Sequence, residues 1–410
     1  MNKKDFVRTV DDNLDSALKI LKELIKFPST RGNEKDISRY LKKEIHPYVD
    51  SAGLMVVPES LKKDPDYSFK IKGFRYGGTA NLRVKLRGKG KGKTITFNSH
   101  LDVVPASVGQ DHAYSPRLRN NKIFGRGACD CKGQIAALWL MLKSLNDLEL
   151  KPLGEIIIDF VVEEECGGNG TLLALKNGLK ADGAVVMEPT DLQVIHLVRG
   201  AVWFEVTTKG KSGHSGSPSS TKSALKEAIK IMKAVEDVRE KLLAVSRRRV
   251  KEVAHHPNPM PCTFGMLHSG NWPAATPAEA VLKGVFGFLP PFKRKEVQKE
   301  LRKAVSNFPA EIKFNMLNND PSFLEESHPL VQKMLEAARE AGIKSKPEFM
   351  NASCDAWRYS EQAKIPTIVF GAGSISSAHA RDEHIEVDDI KKAALALIYF
   401  IDEWSRLAHG

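Results

Sequence analysis

Five short stretches of this sequence hold side chains that bind divalent cations, and each lies at the end of an apolar run. The first is Phe97-Asn98-Ser99-His100-Leu101-Asp102. If a strand continues through it, His100 and Asp102 point the same way. A carboxylate beside an imidazole fixes its tautomer and raises its basicity as a ligand. The second, Gly125-Arg126-Gly127-Ala128-Cys129-Asp130-Cys131-Lys132-Gly133, puts Asp130 at a strand-to-helix switch, where α/β proteins bind ligands. An N-cap aspartate is the competing reading. Cys129 and Cys131 lack the second cysteine pair of a zinc site and read as buried thiols. The third stretch ends a buried run with Glu163-Glu164-Glu165 before Cys166-Gly167-Gly168-Asn169. Three adjacent carboxylates are costly to bury without cations, although a solvated loop would also accommodate them. The fourth is Met187-Glu188-Pro189-Thr190, and the fifth is Ser377-Ala378-His379-Ala380-Arg381-Asp382-Glu383-His384, just after Gly371-Ala372-Gly373.

The elements that must position these residues follow from periodicity. Leu14, Ala17, Leu18, Leu21, Leu24 and Ile25 repeat with helical spacing, and Gly133–Leu145 reads as a buried helix. Glu155–Val162, Gly183–Met187 and Pro366–Phe370 are continuous apolar runs, as expected for strands covered on both faces. A last helix is expected over Ile390–Trp404. Strands and helices alternating in this way give an α/β sandwich. The middle differs. Ala201–Thr208 alternates like a half-buried strand and is expected at a sheet edge. An amphipathic helix follows over Thr221–Val245, then a strand at Glu279–Phe288, a helix at Lys293–Asn307 and a strand at Glu311–Met316. The expectation is an α/β domain of residues 1–197 and 318–410, interrupted by an α+β unit over 198–317.

Composition narrows the function classes. The chain has 410 residues, 62 Lys+Arg and 50 Asp+Glu, and a net charge of +12. With 42% hydrophobic and 27% charged residues it is ordinary globular material, not a disordered chain. Its basic runs lack interleaved aromatic residues or a recognisable module, so nucleic acid is not expected as a partner. The longest apolar stretch, Gln134 to Leu142, is far short of the ~20 residues of a membrane span. No apolar segment follows Met1-Asn2-Lys3-Lys4, so no signal peptide is expected. Five scattered cysteines then suit reduced thiols in a cytoplasm.

In combination, His100-Leu101-Asp102-Val103-Val104-Pro105, the Gly125–Gly133 stretch, the Glu163–Thr171 stretch, Met187-Glu188-Pro189 and Ala378–His384 resemble one family, in the right order and over nearly the whole chain. It is that of acetylornithine deacetylase, succinyl-diaminopimelate desuccinylase, aminoacylase and carboxypeptidase G. The resemblance implies a zinc-exopeptidase-like α/β/α catalytic domain with an inserted dimerisation or lid domain, and two divalent metal ions. Carried over motif by motif, His100 and Glu188 hold one metal, Glu165 and His379 the other, and Asp130 bridges both. Asp102 supports His100, and Glu164 is the general base. The run of three glutamates leaves this last register open to a one-residue slip. His379 is preferred to His384 because Ala378-His379, with an acid soon after, matches the family pattern. His214, in Lys211-Ser212-Gly213-His214-Ser215-Gly216, resembles a lid histidine that reaches the active site of a neighbouring subunit in a homodimer. Without the resemblance it reads as a surface-loop histidine. Arg199 and Gly373 are candidate substrate contacts, and a cis peptide is implied at Asp130–Cys131.

Two histidines and three carboxylates suit zinc and tolerate cobalt or manganese. Such a pair of cations lowers the pKa of water and polarises an amide carbonyl. Together with the resemblance, this makes the leading function N-deacylation of an N-acyl amino acid or a related small amide. A dipeptidase or carboxypeptidase with the same metals is the alternative, and an inactive binding protein on this fold a remote one. One departure matters: many relatives carry a lid arginine for the substrate carboxylate, and Trp272–Pro290 contains none.

Overall fold

A computed structural model describes residues 3–407. Its large sheet has nine strands. In spatial order eight of them are Ser51–Val56, Ala80–Leu86, Ile156–Val161, Ile95–His100, Gly183–Val186, Thr367–Val369, Val194–Val198 and Ser322–Phe323, and Pro347–Met350 also pairs with Val194–Val198. The four strands from Ile156–Val161 to Thr367–Val369 run parallel to their neighbours in that group. All four are buried along their length, because both faces are covered. Ile156, Ile158 and Phe160 face a core shared with the helices Lys3–Ile25, Gly133–Asp147 and Val387–Trp404. Ile157, Ala184, Val186 and Val369 face a second cluster containing Leu179, Met350 and Tyr359. Since these parallel strands point one way, the loops after His100, Val161, Val186 and Val369 all emerge at one end of the sheet. That end carries four of the five chemical stretches.

The smaller sheet is antiparallel, in the order Cys262–Ser269, Glu279–Phe288, Gly200–Lys209, Ala310–Lys313, with Asn318–Asn319 also on Gly200–Lys209. The helices Ala224–Arg249 and Arg294–Val305 pack against it around Phe204, Val206, Leu282 and Phe286. Ser223 caps the longer helix, its hydroxyl accepting from the Lys226 N–H. Gly200–Lys209 is paired on both sides, which corrects the expectation that it lies at the edge. One edge is Ala310–Lys313 and the other is Cys262–Ser269, a strand that periodicity misses. A register shift between Phe264 and Met266 breaks its alternation, and most of its side chains are exposed. Among the described residues no helix is long and apolar enough to cross a membrane.

Candidate metal centre

His100, Asp130, Glu165, Glu188 and His379 converge at the C-terminal end of the large sheet. His100 is the last residue of its strand, and Glu188 lies two residues beyond Val186. Asp130 stands just before the helix Gly133–Asp147. The peptide between Asp130 and Cys131 is cis. His100 Nε2 lies 2.8 Å from Asp130 Oδ1 and 4.0 Å from Glu188 Oε2. His379 Nε2 lies 3.2 Å from the other oxygen, Asp130 Oδ2, and 3.0 Å from Glu165 Oε1. One aspartate thus touches both histidines, one with each oxygen. His100, Asp130 and Glu188 form one set of donor atoms close enough to share an ion, and Asp130, Glu165 and His379 form another.

The donor chemistry fits divalent cations. His100 Nδ1 meets the carbonyl oxygen of Asp102 at 2.8 Å. A carbonyl only accepts, so Nδ1 carries a proton, and Nε2 is the ring nitrogen that faces the cluster. Hydrogen bonds from His379 to Asp130 and Glu165 push that imidazole up to about 10, so this carboxylate pair demands positive charge between its members. Burial, with Asp130 close by, pushes Glu188 up to about 8. A cation at each set relieves both conflicts.

The three adjacent glutamates have three different environments. Glu163 is buried against the Arg31 guanidinium, and accepts from Tyr76 OH at 2.6 Å and Asn169 Nδ2 at 3.0 Å. Glu165 meets His379. The Glu164 carboxylate has no hydrogen-bond or ion-pair partner among the described residues, and burial followed by Glu188 and Asp355 pushes it well above the usual carboxylate range. Asp102 does not reach His100 through its side chain, which is 3.6 Å from Nδ1. Its oxygens instead accept the backbone N–H groups of Glu164 and Glu165, each at 3.1 Å.

Sequence reasoning missed three residues here. Glu383 is buried; one oxygen accepts the N–H groups of Cys129 and Asp130 at 3.1 and 3.2 Å, and the other pairs with Arg126 at 2.5 Å. Its signal was its place four residues after His379. Asp355, buried beside Glu164, accepts from Thr171 Oγ1 at 2.5 Å, and nothing in its own stretch marks it. Cys131 Sγ lies 3.0 Å from Glu188 Oε2, within reach of the first donor set. His214 is not brought into the cluster. It is exposed on a two-residue ladder with Ala275, and its Nδ1 accepts from Gly216 N at 3.0 Å. Arg199 lies between the strands Val194–Val198 and Gly200–Lys209, donating from Nε to Asn351 O at 2.9 Å. Gly373 has φ +74°, and a Cβ there would stand 2.7 Å from Cys129 Sγ, so close packing alone requires glycine.

Residues 96–403 match peptidase family M20/M25/M40. The chain belongs to that family. It is thus a metallohydrolase whose relatives cleave amides, and family members use a dinuclear metal site. Over 439 residues, and 98% of both chains, it is 22% identical to an N-formyl-4-amino-5-aminomethyl-2-methylpyrimidine deformylase of Halalkalibacterium halodurans. It is 27% identical over 331 residues to an acetylornithine deacetylase of Myxococcus xanthus, covering 77% of this chain and 82% of that one. A tripeptidase from Staphylococcus aureus shares the fold with a TM-score of 0.76 at 19% identity, over 96% of this chain and 99% of that one.

Proposed function

We propose that this M20 hydrolase is a zinc-dependent N-deacylase of N-acyl amino acids. The observation that carries the reading is the division of labour among acids around one bridging aspartate. Five residues converge as two donor sets, and one further carboxylate, Glu164, stands beside them with no partner among the described residues. His100, Asp130 and Glu188 would hold one ion, and Asp130, Glu165 and His379 the other. Bound there, the ions supply Lewis acidity toward the amide carbonyl and make water acidic at neutral pH. Glu164, whose carboxylate is made more basic by burial and then by Glu188 and Asp355, takes the proton of the attacking water and passes it to the leaving nitrogen. Asp102 and Glu383 hold the backbone of the ligand-bearing segments. Arg199, half-buried and without a carboxylate partner among the described residues, is suited to the carboxylate that no lid arginine recognises.

The 198–317 unit would act as a lid and dimerisation domain. Its edge strand Cys262–Ser269 exposes Met266 by 50% and Leu267 by 39%, and pairing with a second copy would cover it. In such a dimer His214 would donate to the oxyanion in the partner's site. The two preceding relatives named as a deformylase and a deacetylase favour deacylation over peptidase action. The test is release of free amino acid from N-acetyl and N-formyl amino acids, against dipeptides, after zinc or cobalt loading, with and without chelator. Chelator-sensitive turnover of the acyl amino acids is expected. Turnover confined to dipeptides would establish the peptidase alternative instead.

A further inference from the structure

A cavity of about 350 Å³ is lined by residues from the segments that carry the donor side chains, and belongs to none of the donor sets. Its apolar wall is Pro189, Ile195, Phe349, Met350, Ala352 and Ile375. Three of its sides are continuations of the site itself. Pro189 follows Glu188, Ala352 stands three residues before Asp355, and Ile375 lies on the loop from Gly373 to His379. Ile375 is 49% exposed, a large aliphatic group left at the mouth of a cavity beside a polar centre.

The charges around the cavity restrict what enters. No lysine or arginine lines it. Its two acids are engaged elsewhere, Asp191 accepting from Ser374 Oγ at 2.9 Å and Glu348 pairing with Lys346 at 2.5 Å. An acidic side chain would meet two lining carboxylates, the cations at the rim being Lys346, already paired with Glu348, and Arg199, which this reading gives to the α-carboxylate. Arg199 fixes the direction from which a ligand arrives. It donates to the carbonyl of Asn351, a residue of the cavity wall, and its Nη2 has no hydrogen-bond partner among the described residues. The carboxylate and side chain of an amino acid branch from one carbon. A carboxylate held by Arg199 therefore leaves the side chain of the same amino acid next to the cavity.

We propose that this cavity is the specificity pocket for the amino-acid part of the substrate, and that it takes an uncharged apolar side chain of the size of leucine, methionine or phenylalanine. The proposal rests on the deacylase reading for its substrate but concerns a different part of the molecule. With the acetyl group held constant, the zinc-loaded enzyme should favour N-acetyl-leucine, -methionine and -phenylalanine over N-acetyl-alanine by about 10-fold or more in kcat/KM. N-acetyl-aspartate should be the poorest. Ala352→Phe fills the cavity and should collapse the leucine-to-alanine ratio toward one. Ile375→Asn, at an exposed position that cannot disrupt the core, should lower the same ratio through its polarity. A ratio near one in the wild type, a ratio unchanged in both variants, or discrimination that follows the acyl group would each overturn the proposal. Calorimetric titration of the zinc-loaded protein with free leucine and free aspartate separates the two readings. Leucine binding that Ala352→Phe weakens, in a protein that hydrolyses no N-acyl amino acid, would retain the pocket and reject the deacylase. Deacylation with no preference for leucine in either assay would do the reverse.

Discussion

Glutamine placed in turn at Glu163, Glu164 and Glu165 should produce three separate defects, and the structure sets the size of each. Glu163→Gln leaves the Arg31 guanidinium without its buried counter-charge, and breaking a buried pair in this way costs about 3–5 kcal/mol. Arg31 keeps Phe69 O at 2.9 Å, Tyr67 OH at 3.1 Å and the face of Phe74 at 4.7 Å. The loss should accordingly fall near the lower limit, about 3 kcal/mol. Glu164→Gln removes no partner among the described residues and relieves the penalty that burial and Glu188 place on its charge, so stability should not fall and should rise with pH relative to the wild type. Metal content should be retained while turnover falls by about 10²–10⁴-fold, the contribution of a positioned general base. Glu165→Gln removes a carboxylate that meets His379 at 3.0 Å, and the second ion should be lost selectively. Urea unfolding, elemental analysis after dialysis and kcat on the best amide resolve all three. If Glu163→Gln proves stable but inactive with full metal content, Glu163 is the base. The assignment of the neighbouring pair would then be displaced by one residue.

Three further outcomes follow from the same geometry. Burial, then Asp102, raises Glu34 from 4.5 to about 8, so the folded protein holds this proton more tightly than the unfolded chain. Stability should be fully present below 4.5 and decline through 8, at up to about 1.4 kcal/mol per pH unit. Glu34→Gln should flatten that slope and stabilise the protein at alkaline pH, and melting curves with identical slopes in both proteins would rule the effect out. Asp130→Ala should abolish binding of both ions in elemental analysis, since Asp130 contributes an oxygen to each donor set, and stoichiometric metal in that variant would refute a bridging role. His214→Ala and Glu164→Gln, each nearly inactive alone, should recover part of the activity when their subunits exchange; verified heterodimers without recovery would place His214 outside the partner's site.

The candidate donors were legible because four of the five follow strands of one parallel group, and such a group sends all its C-terminal ends to one side. The order of the glutamates was not. Glu163 is set apart by Arg31, Tyr76 and Asn169, two of them far away in the chain, and no local pattern announces that packing. The smaller sheet failed for another reason. Alternation of polar and apolar residues reports which face of a strand is covered, and Gly200–Lys209 alternates correctly. Whether a strand is interior or at an edge depends on backbone hydrogen bonding, which side-chain periodicity does not encode. Cys262–Ser269 combines both difficulties, since it is mostly exposed and its register shifts beside Gly265.

The acids of the centre divide according to what they bond. Asp102 accepts the N–H groups of Glu164 and Glu165, and Glu383 accepts those of Cys129 and Asp130. Both are anchored to the backbone of segments that carry other functional side chains, so their charge is spent on orientation. Asp130 and Glu165 bond to imidazole nitrogens, where a cation's ligands belong. Among the described residues, the Glu164 carboxylate alone of these five has no hydrogen-bond or ion-pair partner. A carboxylate with two backbone donors is held too firmly to shuttle a proton, and one already committed to a histidine is a poor acceptor for water's proton. Only an acid with free lone pairs, destabilised by its acidic neighbours, has both the basicity and the mobility that the step demands. The proposal of Glu164 as base thus rests on where each neighbour's hydrogen bonds go, independently of the register of the acidic run.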